Sequence, residues 1–141
     1  MPFEEVTETL YTTAATAKGG REGVVKSEDG VVEFQLGKPG SKSNPKANPE
    51  TLFAAGYAAC FGGAINHLAA EEGIDTTEST VTANVTFGKT ASGVGLAVDI
   101  KATLPGVDPA KAEELVRRAH EEVCPYSKAT RDNITVTVGT A

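Results

Sequence analysis

The sequence predicts an α+β fold built mostly from antiparallel sheet, and three observations carry that expectation. STVTANVTF (79–87) and GLAVDIKATL (95–104) alternate apolar and polar residues with the period of two that a half-buried strand requires. Two other stretches open on Asx-Pro, at Asn48-Pro49 and Asp108-Pro109, and continue as helix formers. Short Gly- and Pro-bearing segments join them, with no internal repeat and no linker. The 141 residues therefore read as a single domain, 1–141, long enough to bury a core.

Taken in order, EGVVKSEDGVVEFQL (22–36) predicts two short strands around the turn SEDG, with Val32, Phe34 and Leu36 on one face. GKPGSKSNPKA (37–47) is a polar loop punctuated by Gly and Pro. A helix then starts with Asn48 as N-cap, Pro49 at its first position and Glu50 at the positive dipole end. It runs to about Gly73, a C-cap candidate, with a bend expected at Gly62-Gly63. The two alternating strands follow, one presenting Val81, Ala83, Val85 and Phe87, the other Leu96, Val98, Ile100, Ala102 and Leu104. KTASGVG (89–95) makes the hairpin between them. A second helix begins at Asp108 and carries an apolar stripe of Ala112, Leu115, Val116, Ala119 and Val123. NITVTV (133–138) closes the pattern as a strand through Ile134, Val136 and Val138.

The first helix is apolar on nearly every side, so it needs cover all round, and one thin sheet covers one side only. A second copy of the chain is the simplest cover, which predicts an obligate homodimer with this helix near the interface. The same segment, Thr51 to Ala70, lacks formal charge and has the length of a membrane span. It is rich in Ala and Gly, contains Asn66 and His67, and is flanked by Glu50, Glu71 and Glu72, which argues for a core helix and no membrane. A net charge of −6 argues against nucleic acid as a partner. MPFEEVTETLY is acidic without an apolar core, and two cysteines are too few for a secreted disulfide framework, so the expected compartment is the cytoplasm.

Cys60 lies in AAGYAACFGGA, and Cys124 lies where the second helix gives out, directly before Pro125. Three readings of this pair are open. As ordinary free cysteines they are small buried hydrophobes, although Cys124 at a helix end beside a forced turn is expected to be partly accessible. As metal ligands, His120 and Cys124 have i, i+4 spacing, but Cys60 and His67 stand about 10 Å apart along a straight helix, too far to share one zinc ion without a break. As a redox pair, one sulfur must become a thiolate near neutral pH, and burial among alanines opposes that. A cation is then required. Arg21, flanked by glycines in KGGREG, is a candidate that a tight turn could fix and Glu50 could hold.

NPETLFAAGYAACF (48–61) and VCPYSKATRDNI (123–134) resemble the paired signatures of the organic hydroperoxide resistance proteins within the OsmC-like family. LYTTAATAKGGREG (10–23) also resembles that family's opening strand, so the likeness spans essentially the whole chain in order. The loop GKPGSKSNPKA follows no fixed family pattern. The resemblance implies an OsmC-like fold with a long buried central helix, a second amphipathic helix and an intertwined homodimer. It implies a thiol peroxidase without metal or flavin, in which Cys60 attacks an organic hydroperoxide, Cys124 resolves it as a disulfide, and Arg21 and Glu50 hold the thiolate. A dithiol, in this family a dihydrolipoyl protein, restores the pair.

Phe53, Tyr57, Phe61 and Tyr126 lie near the two cysteines in sequence and form an expected apolar substrate wall, though each also fits an ordinary core. Such a wall favours alkyl or fatty-acid hydroperoxides by about 0.8 kcal/mol per buried CH2. Glu50 and Cys60 are about 15 Å apart on a straight helix, which raises the expectation that a partner subunit supplies Glu50, and with it Arg21. A non-enzymatic lipid-binding dimer with incidental thiols is the competing class.

Overall fold

The computed structural model describes residues 3–40 and 44–141. Part of the polar loop, residues 41–43 with Lys42, lies outside the described residues. The chain groups into two compact units, one ending at Leu52 and one spanning Phe53–Ala141.

The first unit is a three-stranded antiparallel sheet in the order β1 (Ala15–Lys18), β2 (Val24–Ser27), β3 (Glu33–Gln35). Its hairpin is the expected SEDG turn, where Gly30 takes a positive φ of 77° and its amide donates to Ser27 O at 2.9 Å. Of the three residues assigned to one face, Leu36 is buried, while Val32 and Phe34 are exposed. Residues 3–14 form no helix or strand and expose Phe3, Val6, Leu10 and Tyr11. A single 3-10 turn, Gly20–Glu22, joins β1 to β2 and carries Arg21. Glycine is required there: Gly19 and Gly20 have φ of 81° and 66°, and a Cβ on Gly23 would fall 1.8 Å from Lys18 O.

Helix α1 (Pro49–Glu71) begins at the end of the first unit and lies mostly in the second. It opens as its sequence requires, with Asn48 Oδ1 accepting from the Thr51 amide at 2.9 Å and Pro49 in the first turn. It stays helical through Gly62-Gly63. Past its end, Gly73 (φ 70°) donates to Ala70 O and Ile74 to Ala69 O, the paired bonds of a Schellman stop.

The second unit holds β4 (Thr80–Lys89), β5 (Val94–Thr103) and β6 (Val136–Thr140). β4 and β5 form the predicted antiparallel hairpin. β5 and β6 pair in parallel, Val98 opposite Val136. Two helices intervene between those strands, α2 (Pro109–Arg118) and α3 (Pro125–Thr130), and such a long connection returns a strand in the same direction.

The core of this unit joins Tyr57, Phe61, Ala64, Ile65, Leu68 and Ala69 of α1 to Val98, Ile100 and Ala102 of β5 and to Ala112, Leu115 and Val116 of α2. α1 is the one helix among the described residues long and apolar enough to cross a membrane, and its inner face packs into this core. Its other side leaves Ala55, Ala59, Gly63 and Ala70 exposed, so the chain covers one face of this apolar helix, as anticipated.

Candidate functional site

α2 opens with Asp108 Oδ2 accepting from the Lys111 amide at 3.2 Å and buries Ala112, Leu115 and Val116 of the expected stripe; beyond its end Ala119 is buried and Val123 only partly so. It does not stop cleanly at Pro125. Residues Ala119–Val123 widen into a π-helical turn, closed by the Cys124 amide donating to Ala119 O at 2.9 Å. Such turns recur at functional sites because the extra residue re-aims the chain beyond it. Cys124 then leaves helical geometry (φ −66°, ψ 117°) and becomes the N-cap of α3, its sulfur accepting from the Ser127 amide at 3.4 Å. Pro125 sits at the first position of this new helix, where a missing N–H costs nothing.

This cap brings the two cysteines together. Cys124 Sγ lies 3.6 Å from Cys60 Sγ, and both thiols are free. Their exposures reverse the sequence expectation. Cys124, expected to be partly accessible, is 1% exposed, whereas Cys60 is only half-buried. The reason is α3, which folds back over Cys124 after the proline. Burial pushes the Cys60 thiol above its ordinary pKa, the Tyr126 backbone amide pulls it down, and the neighbouring Cys124 thiol adds to the rise.

In the first unit, Arg21 Nη2 donates to Glu50 Oε1. The Glu50 side chain is mostly buried and the Arg21 side chain half-exposed. Arg21 and Glu50 thus pair within one chain.

The four aromatic residues divide. Phe61 and Tyr57 are wholly buried. Phe53 and Tyr126 are less covered and stack with centroids 6.2 Å apart, and Tyr57 tilts against Tyr126 at 5.7 Å. Tyr126 can lie this close to α1 because residue 56 is glycine: a Cβ there would stand 2.9 Å from the Tyr126 Oη.

Sequence reasoning missed a buried polar network beside Cys124. Tyr57 Oη contacts Ser127 Oγ at 2.8 Å and Thr130 Oγ1 at 2.9 Å, and His120 Nδ1 contacts Ser127 Oγ at 2.7 Å. Arg131 Nη1 donates to the His120 carbonyl at 2.6 Å. Burial, and then the Arg131 charge, pushes the His120 pKa below its ordinary value. His67 stands exposed, 3.7 Å from Glu71. Among the described residues no three of His, Cys, Asp or Glu gather as a metal-binding set.

Two thiols held in contact across the start of a helix, in an α+β chain with a long central helix, define a class of two-cysteine proteins. Residues 40–139 match the family model described as OsmC-like protein. The chain is 46% identical to the organic hydroperoxide resistance protein OhrB of Bacillus subtilis, over 90% of this chain and 95% of that one. It is 44% identical to the organic hydroperoxide resistance protein of Xanthomonas axonopodis pv. citri, over 92% and 93%. The crystal structure of the Bacillus subtilis OhrB aligns with a TM-score of 0.87 at 43% identity, covering 94% of this chain and 100% of that one. An organic hydroperoxide resistance protein from Elizabethkingia anophelis aligns with a TM-score of 0.87 at 48% identity, over 96% and 99%. The chain belongs to the OsmC-like family, in its organic hydroperoxide resistance branch.

Proposed function

We propose that this protein is a cysteine-based peroxidase that reduces organic hydroperoxides to alcohols, acting as one domain over residues 1–141. One observation carries the reading: Cys60 and Cys124, far apart in sequence, have sulfurs 3.6 Å apart with no bond between them. In the proposed cycle the Cys60 thiolate attacks the peroxide, the O–O bond breaks, and the alkoxide leaves and takes a proton as the alcohol. Cys60 becomes a sulfenic acid. Cys124 then displaces water from it to form the Cys60–Cys124 disulfide. A dithiol, of the kind a dihydrolipoyl protein carries, returns both thiols by exchange and is itself oxidised to a disulfide.

The local surroundings of Cys60 favour its neutral thiol, so the proposal needs a cation. Arg21, oriented by Glu50, is the group assigned to it. Phe53 and Tyr126 supply the accessible part of the substrate wall, with Tyr57 and Phe61 behind them as core. The uncovered side of α1 and the exposed Phe3, Val6, Leu10 and Tyr11 support a homodimer, and the acidic charge and sparse cysteines suit the cytoplasm.

The test is mass spectrometry of the reduced protein after one equivalent of tert-butyl hydroperoxide. The expected product is an intramolecular 60–124 crosslink with release of the alcohol. Cys60→Ser should abolish turnover. A variant that still consumes hydroperoxide at the wild-type rate, or a wild-type chain that gains no crosslink, would sink the reading. A lipid-binding dimer would instead keep its ligand affinity in Cys60→Ser.

A further inference from the structure

The polar network beside Cys124 has a direction. Thr130 Oγ1 donates to the Ser127 carbonyl at 3.3 Å, so its lone pairs are left to accept from Tyr57. The single Tyr57 hydroxyl proton is then committed, and Tyr57 accepts from Ser127. The Ser127 proton is committed in turn, so Ser127 accepts from a proton on His120 Nδ1. The run is His120 Nδ1–H to Ser127 to Tyr57 to Thr130 to the Ser127 carbonyl, with every hydroxyl donating once. Tyr57, Ser127 and Thr130 are buried, where an unmatched donor is costly, so their bonds to one another are strongly held.

Its placement follows the sulfurs. Tyr57 is three residues before Cys60 on α1, and Ser127 is three residues after Cys124 on α3, so the Tyr57–Ser127 bond ties together the two helices that carry the thiols. Ser127 also donates its amide to Cys124 Sγ. His120 meanwhile stands on the π-helical turn, its carbonyl fixed by Arg131.

We propose that His120 and Ser127 are positioning residues for the resolving thiol: the one-way chain from His120 Nδ1–H through Ser127 to Tyr57 fixes α3 against α1 and so aims Cys124 Sγ at Cys60. The inference rests on the peroxidase reading above. In the resolving step the Cys124 sulfur attacks the sulfenic Cys60 sulfur, the S–O bond breaks, and hydroxide leaves with the thiol proton as water. A second hydroperoxide competes for the same sulfenic acid, giving a sulfinic acid and another alcohol. Loss of aim slows the first path and feeds the second, while the initial attack on peroxide by Cys60 is untouched.

The test compares His120→Asn with His120→Gln in the full chain, beside His120→Ala and Ser127→Ala. Asn places an N–H where Nδ1–H stands, and Gln places it near Nε2 instead. Single-turnover mixing with tert-butyl hydroperoxide should show Cys60 oxidation within about twofold of wild type in every variant. Disulfide formation should fall about tenfold in His120→Gln, His120→Ala and Ser127→Ala, the size expected for losing a hydrogen bond, and stay near wild type in His120→Asn. Excess hydroperoxide should then give Cys60 sulfinic acid, seen as two added oxygens, in the slow variants alone. Equal disulfide rates in His120→Asn and His120→Gln, or attack and resolution slowed together, would overturn the inference. A Cys124→Ser protein that neither consumes hydroperoxide nor over-oxidises would overturn the peroxidase reading itself.

Discussion

Replacing Tyr57 with Phe removes one oxygen and leaves the ring, so it tests the network almost free of cavity effects. The lost Oη makes two hydrogen bonds, at 2.8 and 2.9 Å, and Tyr57 and Ser127 are wholly buried. Water cannot replace it there. Two net contributions of about 1 kcal/mol each give a loss of about 2 kcal/mol. Only the Ser127 hydroxyl is left as a stranded donor, because Thr130 keeps its own bond to the Ser127 carbonyl, which holds the figure below the cost of two stranded donors. For a chain of this length the loss corresponds to a fall in Tm of about 6–8 °C. The assay is urea unfolding with both cysteines reduced, at one fixed protein concentration so that any self-association cancels. Ser127→Ala should cost a similar amount, and the double variant should cost less than the sum by about 1 kcal/mol, because the second change removes a partner already lost. A Tyr57→Phe midpoint equal to wild type with an unchanged m-value, or strictly additive costs, would refute the account.

Gly56→Ala adds a methyl 2.9 Å from Tyr126 Oη and 3.2 Å from its Cε2. The crowding, about 1–3 kcal/mol, should outweigh the roughly 1 kcal/mol that alanine contributes as a helix former, so the urea midpoint should fall, and a rise would show that the ring swings away freely. Arg21→Ala, made in a Cys124→Ser background, should raise the pH at which the Cys60 thiolate absorbs at ultraviolet wavelengths above the ordinary thiol value of about 8.5, with Arg21→Lys between. An unchanged titration would remove Arg21 from the site. His120 has a depressed pKa in the fold, so below its unfolded value of about 6.5 the unfolded chain binds more protons than the folded one. That contribution is fully present above about pH 6.5 and is lost as pH falls toward the folded value. His120→Asn should therefore flatten the decline in urea midpoint between about pH 7 and about pH 5, and an equally steep decline would contradict the burial of a neutral ring.

Much of this architecture is legible in the sequence because local chemistry fixes it. Asn48-Pro49 and Asp108-Pro109 cap their helices by side-chain oxygens whose role follows from residue type and position alone. Alternation locates β4 and β5, yet alternation carries no direction, so the parallel pairing of β6 could come only from the long crossover that precedes it. Pro125 reads as a stop in the sequence. It is a start, since a proline suits the first turn of a helix as well as it ends one, and here the cap is a sulfur, which the usual Ser, Thr, Asp and Asn signals do not include. His120, Ser127 and Thr130 give no signal for a related reason. Each is an ordinary polar residue along the chain, and only the return of α3 onto α1 buries them together. Among the residues proposed for the chemistry, the two cysteines stand out by scarcity and motif, and Arg21 by the glycines around it.

The environments of the two sulfurs differ in a way that bears on the order of events. Cys60, half-buried on a long helix, can be met from outside, whereas Cys124 at 1% exposure cannot receive a bulky alkyl peroxide without α3 moving. In the proposed cycle a peroxide therefore meets Cys60 first, and Cys124 acts only on a sulfur already beside it. Disulfide formation must then shorten 3.6 Å to about 2.05 Å, a change of roughly 1.5 Å. α1 is anchored along its length by the core, so the cheaper movement lies in the segment from the π-helical turn to α3, whose hold on α1 includes the Tyr57–Ser127 bond.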